Sequence, residues 1–205
     1  TARAPKATTP GAPANDAPLR LNKTQLPPQP LLDRAFDALQ SGKLEEAHRD
    51  YFRLLKDDPR NVDALLGLAS IALRKDQPDQ ALSYFQKILE FDPNDAAAQA
   101  GIINLRGQND PALAESRLKT ALSSQPESGP LHFALGNLYA RQQRWSEAQQ
   151  AYFRAYSTEP DNADFIFNLA VSLDQLHQSR LAAQYYRMAL NAAEASSGSQ
   201  AVGFD

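Results

Sequence analysis

The chain has 205 residues, 42% of them hydrophobic and 22% charged, with a formal net charge of −3, values that suit one soluble domain with a tail. It contains no cysteine, which excludes disulfides and thiol chemistry and fits either an oxidising or a reducing compartment. No apolar run approaches the roughly 20 residues a membrane-crossing helix needs, so no span is expected in this segment.

Residues 1–30, TARAPKATTPGAPANDAPLRLNKTQLPPQP, are of another composition. They hold seven of the 14 prolines, and four basic residues against one acidic give them a net +3, which leaves −6 for the remainder. Such a segment buries too little apolar area to offset its ordering entropy, so it is expected to be an extended linker or tail. Leu19, Leu21 and Leu26 are its candidates for contact with the domain or a neighbouring molecule. The stretch lacks an initiator Met and a signal-peptide core, the pattern expected of a fragment or a processed form. The acidic remainder argues against nucleic acid as a partner, because phosphate binding wants a basic face.

From Pro28 onward one beat runs along the chain. Ala47, Ala81, Ala114, Ala148 and Ala182 recur at spacings of 34, 33, 34 and 34 residues, and Pro59, Pro93, Pro126 and Pro160 keep the same step. That period belongs to stacked helix pairs, each burying its apolar face on the next. It predicts a solenoid over residues 31–195, with units near 28–61, 62–95, 96–128, 129–162 and 163–196, each an inner helix A followed by an outer helix B.

In the first unit Ala47, Tyr51 and Leu54 share one face of helix B by their offsets of four and seven. Gly42 marks the turn before that helix and Pro59 ends it. The second repeats this with Ala81, Phe85 and Ile88, behind a helix A carrying Leu65, Leu68, Ala69 and Ala72. The third is irregular: a residue short, with Arg106 where a packing side chain is expected and Gly107 cutting helix A early. It is the expected soft joint. The fourth sets Leu135, Gly136 and Tyr139 before Trp145, Ala148, Tyr152 and Ala155. The fifth has Ile166, Leu169, Ala170 and Leu173 before Ala182, and Glu194 stands where a closing proline is expected. Its helix B presents Tyr185, Tyr186, Met188 and Leu190 ahead of the tail at 196–205, which is polar until Val202 and Phe204. With no evident polar cap, that end is expected to meet a further helix or a partner, a second copy included.

On Leu135-Gly136, Tyr139, Trp145, Ala148, Tyr152, Ala155 and Pro160 of the fourth unit, with the first, second and fifth in phase, the stretch 28–195 resembles the tetratricopeptide repeat (TPR) family. The resemblance implies an all-α, right-handed α-solenoid of about five helix-turn-helix units, and a concave face lined by the A helices that holds a protein or peptide. By offset within each unit, the positions facing that concavity include Phe36, Arg74, Asn104, Phe133, Asn137, Arg141, Phe167 and Asn168, with Leu32, Leu39, Leu66, Ser70, Leu73 and Val171 beside them. Each asparagine amide can donate to and accept from an extended peptide backbone, and the phenylalanines supply apolar pockets. The alternative is that these amides only satisfy a neighbouring helix. Chaperone-binding members clamp a carboxylate at such offsets. Asn137 and Asn168 match two of them, but Phe133 stands at the lysine offset, so no clamp is expected.

Nothing along the chain forms a catalytic constellation. His48, His132 and His177 fall in different units, and pairs such as Glu45 with His48 lack a third metal ligand. No Gly-rich phosphate loop occurs. Trp145 falls at a packing position of the repeat. No enzyme activity, cofactor or metal is expected.

The stretch NLAVSLDQLHQSRLAAQYYRMAL, behind a Pro/Ala-rich spacer, is similar to bacterial envelope proteins of type IV pilus biogenesis of the mannose-sensitive haemagglutinin kind. That implies a segment facing the periplasm behind a missing N-terminal membrane anchor, scaffolding an envelope machine such as a pilus or a secretion system. The competing expectation is a soluble cytoplasmic adaptor or co-chaperone with the same groove. Self-association through the N-terminal tail or the C-terminal helix is compatible with both.

Overall fold

The computed structural model describes residues 28–198, and among them every regular element is a helix. The contacts expected of Leu19, Leu21 and Leu26, and the roles of Val202 and Phe204, lie outside the described residues. Inner and outer helices alternate: α1 (Pro28–Gln40) with α2 (Leu44–Asp57), α3 (Val62–Arg74) with α4 (Pro78–Phe91), α5 (Ala96–Arg106) with α6 (Pro111–Ser124), α7 (Gly129–Arg141) with α8 (Trp145–Thr158), and α9 (Ala163–Gln175) with α10 (Ser179–Gly198).

Local chemistry sets these boundaries. The inner helices after the first begin behind a side chain that accepts an otherwise orphaned N–H. Asn61 accepts from Ala64 at 2.9 Å, Asp95 from Ala98 at 2.7 Å, Ser128 from Leu131 at 3.4 Å and Asn162 from Phe165 at 3.3 Å. Each such cap is worth about 1 kcal/mol. The outer helices α4 and α6 open on Pro78 and Pro111, whose missing N–H costs nothing in the first turn. Between the two helices of a unit the chain reverses through one left-handed residue: Gly42 at φ 73°, Asp76 at 55°, Gln143 at 59° and His177 at 59°. The third unit has no such residue. There α5 stops at Arg106 after 11 residues, where α7 has 13, and Gly107 sits against Ala114 so closely that an added Cβ would lie 2.5 Å from its methyl.

The periodic alanines are the contact points between helix backbones. Ala47, Ala81 and Ala148 have no exposed surface, and Ala182 has 1%. One turn after each, a large side chain fills the space beside it. The Tyr51 ring lies over Gly67 of the next unit and Phe85 over Gly101, where an added Cβ would fall 2.4 and 2.5 Å from the ring. Tyr152 departs from this rule. It lies over Gly136 of its own unit, and its hydroxyl donates to Asn137 Oδ1 at 2.8 Å.

The buried side chains form three clusters. One joins α1 to α3, a second runs from Leu65 to Ala98, and a third from Ala100 through Tyr152 to Ala182. Helix α5 therefore belongs to two of them, giving Ala98 to one and Ala100 to the other. It packs more extensively on α7 than on its own partner α6, and α6 buries only Ala114 and Leu118.

Charge supplements that thin packing. Glu115 on α6 accepts from Arg144 Nη1 at 2.7 Å, from Lys119 Nζ at 2.6 Å and from the Tyr139 hydroxyl at 3.1 Å. The Arg144 guanidinium also pairs with Glu147 and lies 4.3 Å from the Tyr139 ring centroid. Arg144 first, then Lys119, holds the Glu115 carboxyl down to about 2. At the other end of the molecule, Arg34 donates to buried Asp50 through two bonds of 2.7 and 2.6 Å, tying α1 to α2.

Candidate functional site

Two pairs of inner helices lie side by side, α3 against α1 and α7 against α5, and the expected site residues fall along the inner helices. One recess along them is a cavity of about 370 Å³ between α1 and α3. Leu32, Phe36 and Leu39 follow one another along the α1 face at offsets of three and four, and Leu66 faces them from α3. Phe36 is 45% exposed, an apolar ring left uncovered beside a cavity.

Tyr51 also lines this cavity, wedged over Gly67. Burial pushes its hydroxyl up to about 12, and the charges of Asp63 and Asp37 add to the effect. The phenol therefore stays protonated and available as a donor. Arg74, at the end of α3, donates to the Leu39 carbonyl at 2.6 Å and so bridges the two helices.

The remaining expected residues divide. Asn104 on α5 accepts from Arg141 Nη2 on α7 at 3.3 Å, so these two come together across adjacent inner helices. Phe167 is 49% exposed, with its ring 5.7 Å from that of Tyr186. Phe133 is half-buried instead, its ring 5.7 Å from Tyr152 and 4.9 Å from Phe165. Asn137 is engaged by the Tyr152 hydroxyl, and Asn168 Nδ2 donates to Asp164 O within its own helix at 2.9 Å. Each of these amides still has further donor and acceptor capacity, since one amide offers two N–H groups and two lone pairs.

Two participants escaped sequence reasoning. Asp63 resembles an ordinary acidic residue in a first helical turn, and Tyr51 an ordinary packing aromatic. Tyr51 arrives there because α2 packs against α3 of the next unit, and Asp63 because the first turn of α3 borders α1 of the unit before, neither of which an offset within one unit encodes.

A wider recess of about 610 Å³ runs along α7 and α8, where His132, Tyr139 and Phe153 alternate with Glu147, Gln150 and Arg154. Its walls are polar and apolar in nearly equal measure, whereas the α1–α3 cavity is mostly apolar with a few polar groups, the composition of a site that retains a ligand. The histidines do not converge. His132 Nε2 lies 2.7 Å from the Pro126 carbonyl, the His48 ring stacks on Phe52, and His177 occupies a turn. Among the described residues no three His, Cys, Asp or Glu side chains could share a metal ion, and no helix is long and apolar enough to cross a membrane.

Comparison with known proteins adds to this geometry. A family model described as tetratricopeptide repeat matches residues 32–96 and 133–199, and a second of the same description matches 105–155. Cellulose synthase operon protein C of Pseudomonas fluorescens is 26% identical over 148 residues, 68% of this chain and 12% of its own length. Type IV pilus assembly protein PilF of Pseudomonas aeruginosa is 26% identical over 138 residues, 66% of this chain and 54% of its own length. The chain thus spans only part of these curated relatives. Among solved structures, the thermophilic TPR protein TTC0263 of Thermus thermophilus superposes with a TM-score of 0.59 at 24% identity, covering 85% of this chain and 92% of that one. The likeness is one of fold.

Proposed function

The chain belongs to the tetratricopeptide repeat family, and from that membership we propose that it is a non-enzymatic scaffold holding a segment of a partner protein along the face of its inner helices. Repeats of this family mediate contacts between proteins. The observation that carries the reading is the apolar cavity between α1 and α3 with Phe36 left uncovered beside it. The partner's apolar side chains would enter there. Asn104, Arg141, Asn137 and Asn168 would take its backbone further along, and Phe133 and Phe167 would flank them. The setting we infer is assembly of a bacterial envelope machine such as a type IV pilus or a secretion system, on the periplasmic side of the inner membrane. Similarity to the pilus assembly protein of P. aeruginosa supports the envelope-assembly part of this reading.

Affinity purification from an envelope fraction tests both parts. Wild-type protein is expected to retain a pilus or secretion component that Phe36→Ser with Phe167→Ser releases, and Asn137→Ala with Asn168→Ala is expected to weaken its retention. Retention unchanged in both variants overturns the face. Recovery of cytoplasmic chaperones as the specific partners overturns the setting.

A further inference from the structure

Charge and apolar surface are distributed unevenly in this chain, and the two patterns meet at one place. The cavity between α1 and α3 has Asp33 and Asp63 among its lining residues, and the charges of Asp63 and Asp37 both act on the Tyr51 hydroxyl. Arg74 acts on the same hydroxyl with the opposite sign and keeps its charge while donating to the Leu39 carbonyl, so the acids outnumber the one cation there. An apolar cavity with acids around it selects an apolar segment that carries positive charge.

Such a segment stands immediately ahead of α1. Residues 18–26 read Pro-Leu-Arg-Leu-Asn-Lys-Thr-Gln-Leu, with three leucines, two cations and no acid. In an extended chain Leu19 and Leu21 point to one side, and Arg20 points to the other. Reach is not limiting. Eight extended residues cover about 26 Å, whereas Leu39 lies only about 16 Å along α1 from Pro28 at the helical rise.

We propose that residues 18–26 are an intramolecular ligand of this cavity. Leu19 and Leu21 enter between Phe36 and Leu66, Lys23 on the same side of the extended chain faces Asp63, and Arg20 on the other side is left at the rim toward Asp37. Tethering a ligand this close gives an effective concentration in the millimolar range, so a weak contact suffices to occupy the site. A partner must then displace the segment, and its apparent affinity falls by the fraction of molecules in which the cavity is closed. This goes beyond the external partner proposed above, and its test requires no partner.

The chain has no cysteine, so Thr24→Cys accepts a single spin label in the full-length protein. The expected result is broadening of the Leu32, Phe36, Leu66 and Ser70 amide signals by at least several-fold relative to those of Phe153 and Arg154. Adding Leu19→Ser and Leu21→Ser is expected to restore the signals, as is adding Arg20→Glu and Lys23→Glu, with helical circular dichroism unchanged. A mixture of spin-labelled chain and isotope-enriched unlabelled chain is expected to stay sharp. Absent or uniform broadening overturns the proposal, as does broadening that survives both sets of substitutions. Broadening in the mixture also overturns it, because the segment then sits on a second copy.

Discussion

The third and fourth units share the same alanine step yet hold their helices together by different means. In the fourth, α7 and α8 bury Leu131, Leu135, Leu138, Tyr139 and Tyr152 along their length. In the third, α5 and α6 bury only Ala98, Ala100, Ala114 and Leu118, and Glu115 secures α6 through charge. The period sets the path of a solenoid, while side-chain volume at a few positions decides how firmly each unit follows it. A unit held by small residues and ion pairs is the natural place for the stack to yield.

Substitutions sharpen that contrast. Tyr152→Ala removes the largest wedge of the fourth unit and is expected to cost about 3–5 kcal/mol in urea unfolding; a cost below about 1 kcal/mol would show that the unit is anchored elsewhere. Ala148→Leu overpacks a site with no exposed surface and is expected to cost about 1–3 kcal/mol. The same change at exposed Ala112 on α6 should stay within about 0.5 kcal/mol. Equal costs at the two sites would show that close packing around Ala148 is not what makes the added side chain costly.

Acid probes the ionic contact of the third unit. The Glu115 carboxyl is depressed in the folded chain to about 2, so its contribution is complete above the ordinary carboxylate value near 4.3 and is lost as pH falls toward about 2. Amides of α5 and α6 are therefore expected to lose hydrogen-exchange protection across that window before those of α7 and α8. Glu115→Gln should remove the difference in pH response, and equal protection at every pH would contradict a soft third unit. A gain, not a loss, is expected at His177. Its φ of 59° is costly for a side chain with a Cβ, so His177→Gly should gain up to about 1 kcal/mol. A loss there would mean that the imidazole itself holds the turn.

Much of this architecture was legible from residues alone. Alanine every 33 or 34 positions marks backbone approach, and a proline 12 residues later marks the end of an outer helix, because both are steric requirements of one local unit. Gly107 announced the short α5 for the same reason. The site was less legible. Helical offsets place Phe36, Phe167 and Asn168 on the inner face, but they cannot say whether a neighbour covers them. Phe133 packs between the tilted rings of Tyr152 and Phe165, and Asn137 is engaged because Tyr152 turned onto its own unit. Asp63 and Tyr51 reach the cavity through contacts between units, which no repeat offset records.

The central claim is that the inner-helix face, and not the outer one, receives the partner. Photo-activatable phenylalanine analogues placed singly at Phe36, Phe167, Phe52 and Phe153 test it directly, since all four side chains are between 45% and 49% exposed. The account predicts that in cells positions 36 and 167 cross-link to one common protein while 52 and 153 do not. Cross-linking of that protein from 52 and 153 alone would contradict it.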